Sequence, residues 1–300
     1  MALFVALVAA VFPPFILYAT RSWLAETVFT TLILMGFWIS LLDFGFWSGL
    51  IWGISSLFRA PASLLALGYP LANIKHYRLS ALFLLGFIPL PVSFFLLNYF
   101  SGRESLPYDA YAKTGMVEAI KWANGPCAEG TQVYAGLIEA PEGADCNDIL
   151  WRLKRPHTIP VLMLKKAGYL TLPYRAVKLR EIALGPWPSK MLTLFFVVVP
   201  DALFFFLGGF YLTFIGIRRR KTFPMSWAWL STLGLALLFL AVPRHLFPIT
   251  PIFILGTFLL LYEKPPVRWW MLVSWSVFLI LLVFAWIFWC IPFYAHHPLR

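Results

Sequence analysis

The sequence predicts an all-α polytopic membrane protein with about seven transmembrane helices and a small extracytoplasmic α+β domain between the third and fourth spans. Of the 300 residues 61% are hydrophobic and 12% are charged, where a soluble domain carries about 25% charged residues. Apolar runs of about 20 residues recur along the chain. The aromatic share of 18% excludes a disordered or low-complexity chain, because such chains are poor in large apolar side chains.

The predicted domains are residues 1–100 with three spans, residues 101–189 outside the membrane, and residues 190–300 with four spans. The seven spans cover residues 2–20, 24–57, 81–100, 191–217, 227–242, 247–262 and 269–294. Residues 23–58 exceed one span but fall short of two spans with a turn, and we interpret them as one long helix. No charged segment precedes the first apolar run, so we expect no cleaved signal peptide.

Basic residues in short segments set the orientation, because they are retained in the cytoplasm. The decisive run is Arg218, Arg219, Arg220 and Lys221. Placing it in the cytoplasm puts residues 101–189 and the C-terminus outside the cytoplasm. It also puts further basic residues on the cytoplasmic side, namely Arg59, Lys75, Arg78, Lys264 and Arg268. The same orientation predicts that Trp227, Trp229, Trp269 and Trp270 mark the inner interface.

The formal charge of +11 is explained by these positions at the ends of spans and by one polar stretch. No nucleic-acid-binding pattern occurs. The predicted partners are therefore the lipid bilayer and other membrane or extracytoplasmic proteins, with no nucleic acid. The asymmetry indicates a bacterial inner membrane, although an endoplasmic-reticulum membrane would produce the same pattern.

The polar stretch predicts a small domain closed by a disulfide between Cys127 and Cys146, since both cysteines face an oxidising compartment in this topology. Such a loop closure stabilises a domain by about 3 kcal/mol. A helix is predicted at residues 112–123, a strand at 131–138 and a hairpin from 159–164 and 169–172. The alternative is that Cys127 is a thiol activated by His157. Cys290, in the last span, is predicted to pack in the core.

Residues 59–79 form a cytoplasmic interfacial segment between the second and third spans. Small apolar residues alternate there with Tyr69, Lys75 and Arg78, which favours a helix in the headgroup region. The alternative is a re-entrant segment lined by protein.

Two carboxylates fall inside predicted spans, Asp43 in the second and Asp201 in the fourth. Charged residues inside a bilayer are costly and are functional candidates for that reason. No lysine or arginine is expected at either depth, so each carboxyl is expected to be protonated or hydrogen-bonded. One hypothesis is a site between the two helices that accepts a proton or cation, and the other is a polar contact that holds helices together.

A second candidate group lies at the predicted outer interface. It consists of Glu26, His245, His296 and His297, next to Arg244. Imidazoles and a carboxylate are ligands for zinc or copper, and a histidine can also act as a base. No metal-binding motif connects them in sequence, so polar anchoring at the interface is the competing interpretation.

These observations predict a non-enzymatic membrane subunit of a multi-protein envelope assembly, of the secretion, conjugation or surface-polymer export type, which docks a partner through its extracytoplasmic domain. No cofactor is predicted. The alternative is a membrane-embedded enzyme or proton-coupled carrier for a lipid-linked or small charged substrate. That alternative would use Asp43, Asp201 or the group formed by Glu26 and His245.

Overall fold

The computed structural model describes residues 25–58, 61–101, 159–171, 195, 198–238 and 246–290 of the chain. Every regular element within these ranges is a helix. The described segments Tyr77–Phe100, Val199–Arg218 and Trp269–Cys290 are long and apolar enough to cross a membrane. The structure thus agrees with an integral membrane protein of helical class. It does not confirm the count of seven spans, and the predicted span 2–20 lies outside the described residues.

The described residues divide into two compact units. The first contains those up to residue 101 together with 203–232 and 247–266, and the second contains those in 112–202, 233–246 and 267–290. The described helices of the first unit begin with α1 (Ala25–Leu41) and α2 (Gly45–Phe58).

The prediction of one long helix over residues 23–58 is wrong, because α1 and α2 form an antiparallel hairpin. The chain reverses at residues 42–44, where Asp43 has a φ of 59°. Aspartate tolerates this left-handed conformation better than most residues. The hydroxyl oxygens of Ser40 and Ser48 lie 2.6 Å apart across the hairpin. Farther from the turn, Phe37 packs edge-to-face on Trp52.

The predicted interfacial segment is helical, but it is two short helices, α3 (Pro61–Ala66) and α4 (Gly68–Ala72). Ala62, Leu65 and Tyr69 are buried in the first unit. The segment therefore packs against other helices of this unit as two helices where one was predicted, and its position in the headgroup region stays a prediction.

Next come α5 (Tyr77–Phe87) and α6 (Pro89–Phe100), which together form the first candidate span. Helix α5 runs parallel to α2, since Gly45 lies against Leu79 and Gly49 lies one turn further along, against Phe83. Because glycine has no side chain, the two backbones approach closely, as in small-residue helix contacts within membranes.

Three further helices contribute to the first unit: α8 (Val199–Phe210) from Leu203 onward, α9 (Phe223–Leu238) as far as Thr232, and α10 (Thr250–Glu263). Helix α8 continues through a π-helical turn, Tyr211–Ile215, to Arg218. Phe205, Trp229 and Phe253 join these helices with ring centroids 5.2 to 5.6 Å apart. Trp229 is therefore a core residue and does not mark the interface as predicted.

The predicted hairpin at residues 159–172 is wrong, because Ile159–Thr171 is a continuous helix, α7. It belongs to the second unit and packs against α11 (Trp269–Ala285) and the π-helical turn that follows it. Gly168 permits this approach, and the indole of Trp286 donates a hydrogen bond to its carbonyl oxygen at 2.9 Å. Tertiary packing thus overrides the local strand pattern. The other predicted parts of the α+β domain lie outside the described residues.

Candidate functional site at the basic end of the first unit

Arg220 connects two separate segments of the first unit through hydrogen bonds to Asp43 and Asn73. Its Nη2 lies 2.6 Å from Oδ1 of Asp43, and its Nε lies 2.7 Å from Oδ1 of Asn73. Asn73 ends α4, is buried, and donates its amide N–H to the carbonyl oxygen of Tyr69 at 3.0 Å. The planar guanidinium of Arg220 therefore joins the α1–α2 turn to the α4–α5 connection, because it binds one residue of each.

This geometry corrects the expectation that no cation reaches Asp43. The side chain of Asp43 is 37% exposed and lies in a turn, whereas the sequence placed it in the middle of a span. The error follows from the interpretation of residues 23–58 as one helix. Because the chain reverses at Asp43, the carboxylate meets the basic run that follows α8.

A second polar cluster joins the end of α8 to the end of α10. Arg219 forms an ion pair with Glu263, and the hydroxyl of Tyr211 donates to the same carboxylate at 3.2 Å. Tyr211 lies in the π-helical turn and is fully buried. This cluster and the one at Arg220 are adjacent in sequence, so both lie at one end of the first unit. We call this end, formed around Asp43, Asn73, Arg219, Arg220 and Glu263, the basic end.

Tyr69 brings a buried hydroxyl close to the Arg220 cluster. Its ring stacks on Phe83 with centroids 5.0 Å apart, and its hydroxyl has no hydrogen-bond partner among the described residues. Burial and the charge of Asp43 raise the pKa of Tyr69 to about 12, although the charge of Arg220 lowers it. The phenol is therefore neutral at physiological pH.

Asp201 belongs to the second unit, where it lies in the first turn of α8 and is 1% exposed. Lys166 of α7, in the same unit, is 2% exposed and donates to the carbonyl oxygen of Leu237 at 3.1 Å. Sequence reasoning missed Lys166, because it treated that segment as a turn outside the membrane. A joint site of Asp43 and Asp201 stays a prediction.

The remaining candidates fall outside the part of the chain that the structure describes. These are His245, His296, His297, Cys127, Cys146 and the side chain of Glu26. Their predicted roles in metal binding, interface anchoring and the disulfide stay predictions. Within the described ranges, no three histidine, cysteine, aspartate or glutamate side chains are grouped as metal ligands. Cys290 is fully buried with a free thiol, as predicted.

Comparison with protein-family models, with curated proteins and with solved structures finds no match to this chain.

Proposed function

We propose that the chain is a non-enzymatic integral membrane subunit of a multi-protein envelope assembly, which docks a partner through residues 101–189 outside the cytoplasm. The observation that carries this proposal is the ion pair that Asp43 forms with Arg220. A carboxylate poised to carry a proton needs a site that a substrate or ion can enter. Asp43 instead binds Arg220, which also binds Asn73, so its charge serves to hold helices together.

The surface of α11 supports the same proposal. Its exposed residues recur at helical spacing along the whole helix, at Val273, Val277, Ile280 and Phe284. A continuous apolar face of this length suits contact with lipid or with helices of other membrane proteins.

Purification of the tagged full-length chain in a mild detergent tests this proposal. We expect other membrane or extracytoplasmic proteins to co-purify in fixed ratio. The double variant Cys127→Ser with Cys146→Ser should lose the extracytoplasmic partner, because the docking domain loses its predicted disulfide. Cys290→Ala, which removes the third cysteine, is the matched control and should keep the partner. A strictly monomeric particle without co-purifying proteins would contradict the proposal.

A second candidate function is a membrane-embedded enzyme or proton-coupled carrier. The burial of Lys166 and Asp201 in the second unit favours it, since buried ionisable residues in a membrane protein often mark ion or substrate paths. The variant Asp201→Asn, tested in a strain that requires this protein, distinguishes the two candidate functions. Loss of the cellular function with the assembly intact supports the enzyme or carrier, whereas an unchanged cellular function supports the subunit.

A further inference from the structure

One face of α5 presents a cation followed by a row of apolar side chains. Arg78, Leu82 and Leu85 are spaced four and three residues apart and therefore share this face. All three are exposed, Leu82 to 45% and Leu85 to 62%. The adjoining face of α5 carries Phe83 and Gly86, which pack in the first unit, and the Cβ of Leu82 lies close to Gly45 of α2 at the border between the two faces. The Arg78 face thus lies beside the contact with α2 and stays exposed along its length.

The charge around Arg78 is strongly positive. Lys75 lies three residues before it and is also exposed, as are Lys221 and Lys264 at the same basic end. The two acidic side chains that define this end, Asp43 and Glu263, already bind Arg220 and Arg219. The remaining surface therefore attracts anions.

We expect the headgroup plane of a bilayer to pass through this region. One candidate span begins at Tyr77 and another ends at Arg218, and the bond between Arg220 and Asn73 brings these two ends together. Tyr77 is 70% exposed, and the guanidinium of Arg78 lies 6.0 Å from the centre of its ring. Exposed tyrosines with cations are typical of the membrane–water interface.

We propose that Lys75 and Arg78 bind the phosphate of an anionic phospholipid whose acyl chain lies along Leu82 and Leu85. The cations supply electrostatic attraction at the headgroup, and the leucines continue from it in the direction that an acyl chain takes into the bilayer. A soluble anion or an acidic peptide would use the charges but not the apolar row. Lipid binding at this site is independent of the proposed role as a subunit of an assembly.

Native mass spectrometry tests this site, because it resolves each successive bound lipid. The full-length chain is titrated in detergent with phosphatidylglycerol or with phosphatidylcholine. We expect the first phosphatidylglycerol to bind more tightly than the first phosphatidylcholine. Lys75→Gln and Arg78→Gln should each weaken phosphatidylglycerol binding about fivefold, which corresponds to ~1 kcal/mol for each cation near a membrane surface. Phosphatidylcholine binding should change little.

Two controls sharpen the result. Arg78→Lys keeps the charge and should retain most of the preference. Lys165→Gln removes a cation from the second unit, where Lys165 lies 5.0 Å from the ring of Trp289, and should leave the preference unchanged. The proposal would be overturned if the double variant Lys75→Gln with Arg78→Gln bound phosphatidylglycerol as tightly as the wild type does. So would a wild-type chain that binds a hexaglutamate peptide at these residues without preferring phosphatidylglycerol.

Discussion

Asp43 and Arg220 show how a local conformation decides the meaning of a charged residue. Sequence reasoning identified Asp43 as important but placed it inside a helix, where no cation was expected. Two signals for the turn were present: the 36 residues 23–58 are too many for one span, and Asp43 lies two residues before Gly45. Both residue types favour chain reversal. The partner itself, Arg220, lies 177 residues away, so no local pattern identifies it.

Tyr69 provides a test at the same scale. A buried hydroxyl without a partner costs about 1–3 kcal/mol, so Tyr69→Phe should stabilise the protein by about 1 kcal/mol at pH 7. The pKa of Tyr69 is raised from 10.0 to about 12. Ionisation of Tyr69 therefore does not affect stability below pH 10, but the protein loses stability as the pH rises from 10 through 12, because the phenol ionises more readily in the unfolded chain. Tyr69→Phe should lack this alkaline loss.

Thermal unfolding of the detergent-solubilised chain, followed by tryptophan fluorescence from pH 7 to pH 12, measures both effects. Tyr77→Phe, at an exposed tyrosine, is the matched control and should behave like the wild type at every pH. If Tyr69→Phe is clearly less stable than the wild type at pH 7, the hydroxyl has a partner and the interpretation fails.

At the scale of elements, glycine spacing determines how closely α2 and α5 pack. Gly45, Gly49 and Gly53 recur every four residues, which is the pattern of close helix contacts in membranes. This pattern could have predicted a glycine face on α2 from the sequence. It could not have identified α5 as the partner, because that choice depends on the fold of the whole unit.

Gly49→Ala tests this contact. A Cβ at Gly49 would overlap the carbonyl oxygen of Phe83, and a backbone atom cannot move aside as a side chain can. We expect a loss of about 2 kcal/mol in the free energy of unfolding, typical of overpacking. Gly234→Ala is the control, since nothing lies within 4 Å of the added Cβ, and should be neutral or stabilising by up to about 1 kcal/mol. Equal stability of the two variants in a denaturation titration would contradict the close packing.

The helical conformation of α7 could not be predicted from its local sequence. Its strand-like residues around Lys165 and Lys166 suggested a hairpin, yet the segment packs as a helix against α11 through Gly168 and Trp286. More than 100 residues separate these partners in sequence. Local propensity carries no information about such a contact.

At the scale of the whole molecule, composition and apolar runs predicted the helical membrane class correctly. The structure places Asn73 beside Arg220 and Arg219 beside Glu263 at one end of the first unit, while the side of the membrane on which the basic segments lie stays a prediction. Composition could not show that several apolar stretches are short helices of 14 to 17 residues, because helix ends depend on turns and on packing partners.

The orientation of this end in the membrane is tested by labelling cysteines in intact cells with an impermeant maleimide. Lys221→Cys should react only after permeabilisation, because the basic end is predicted to be cytoplasmic. Ser101→Cys, at the opposite end of the span Tyr77–Phe100, should react from outside. Cys127 and Cys146 should react only after reduction. The reverse pattern at Lys221 and Ser101 would invert the proposed topology.

The central claim is that Asp43 is a structural partner of Arg220, and a double-mutant cycle measures this coupling directly. We expect Asp43→Asn and Arg220→Gln to show a coupling of about 1 kcal/mol in the free energy of unfolding, a modest value because both side chains are partly exposed. The control cycle pairs Asp43→Asn with Arg219→Gln, whose ion pair is with Glu263, and should be additive. No coupling between Asp43 and Arg220, or a gain in stability from Asp43→Asn alone, would contradict the claim.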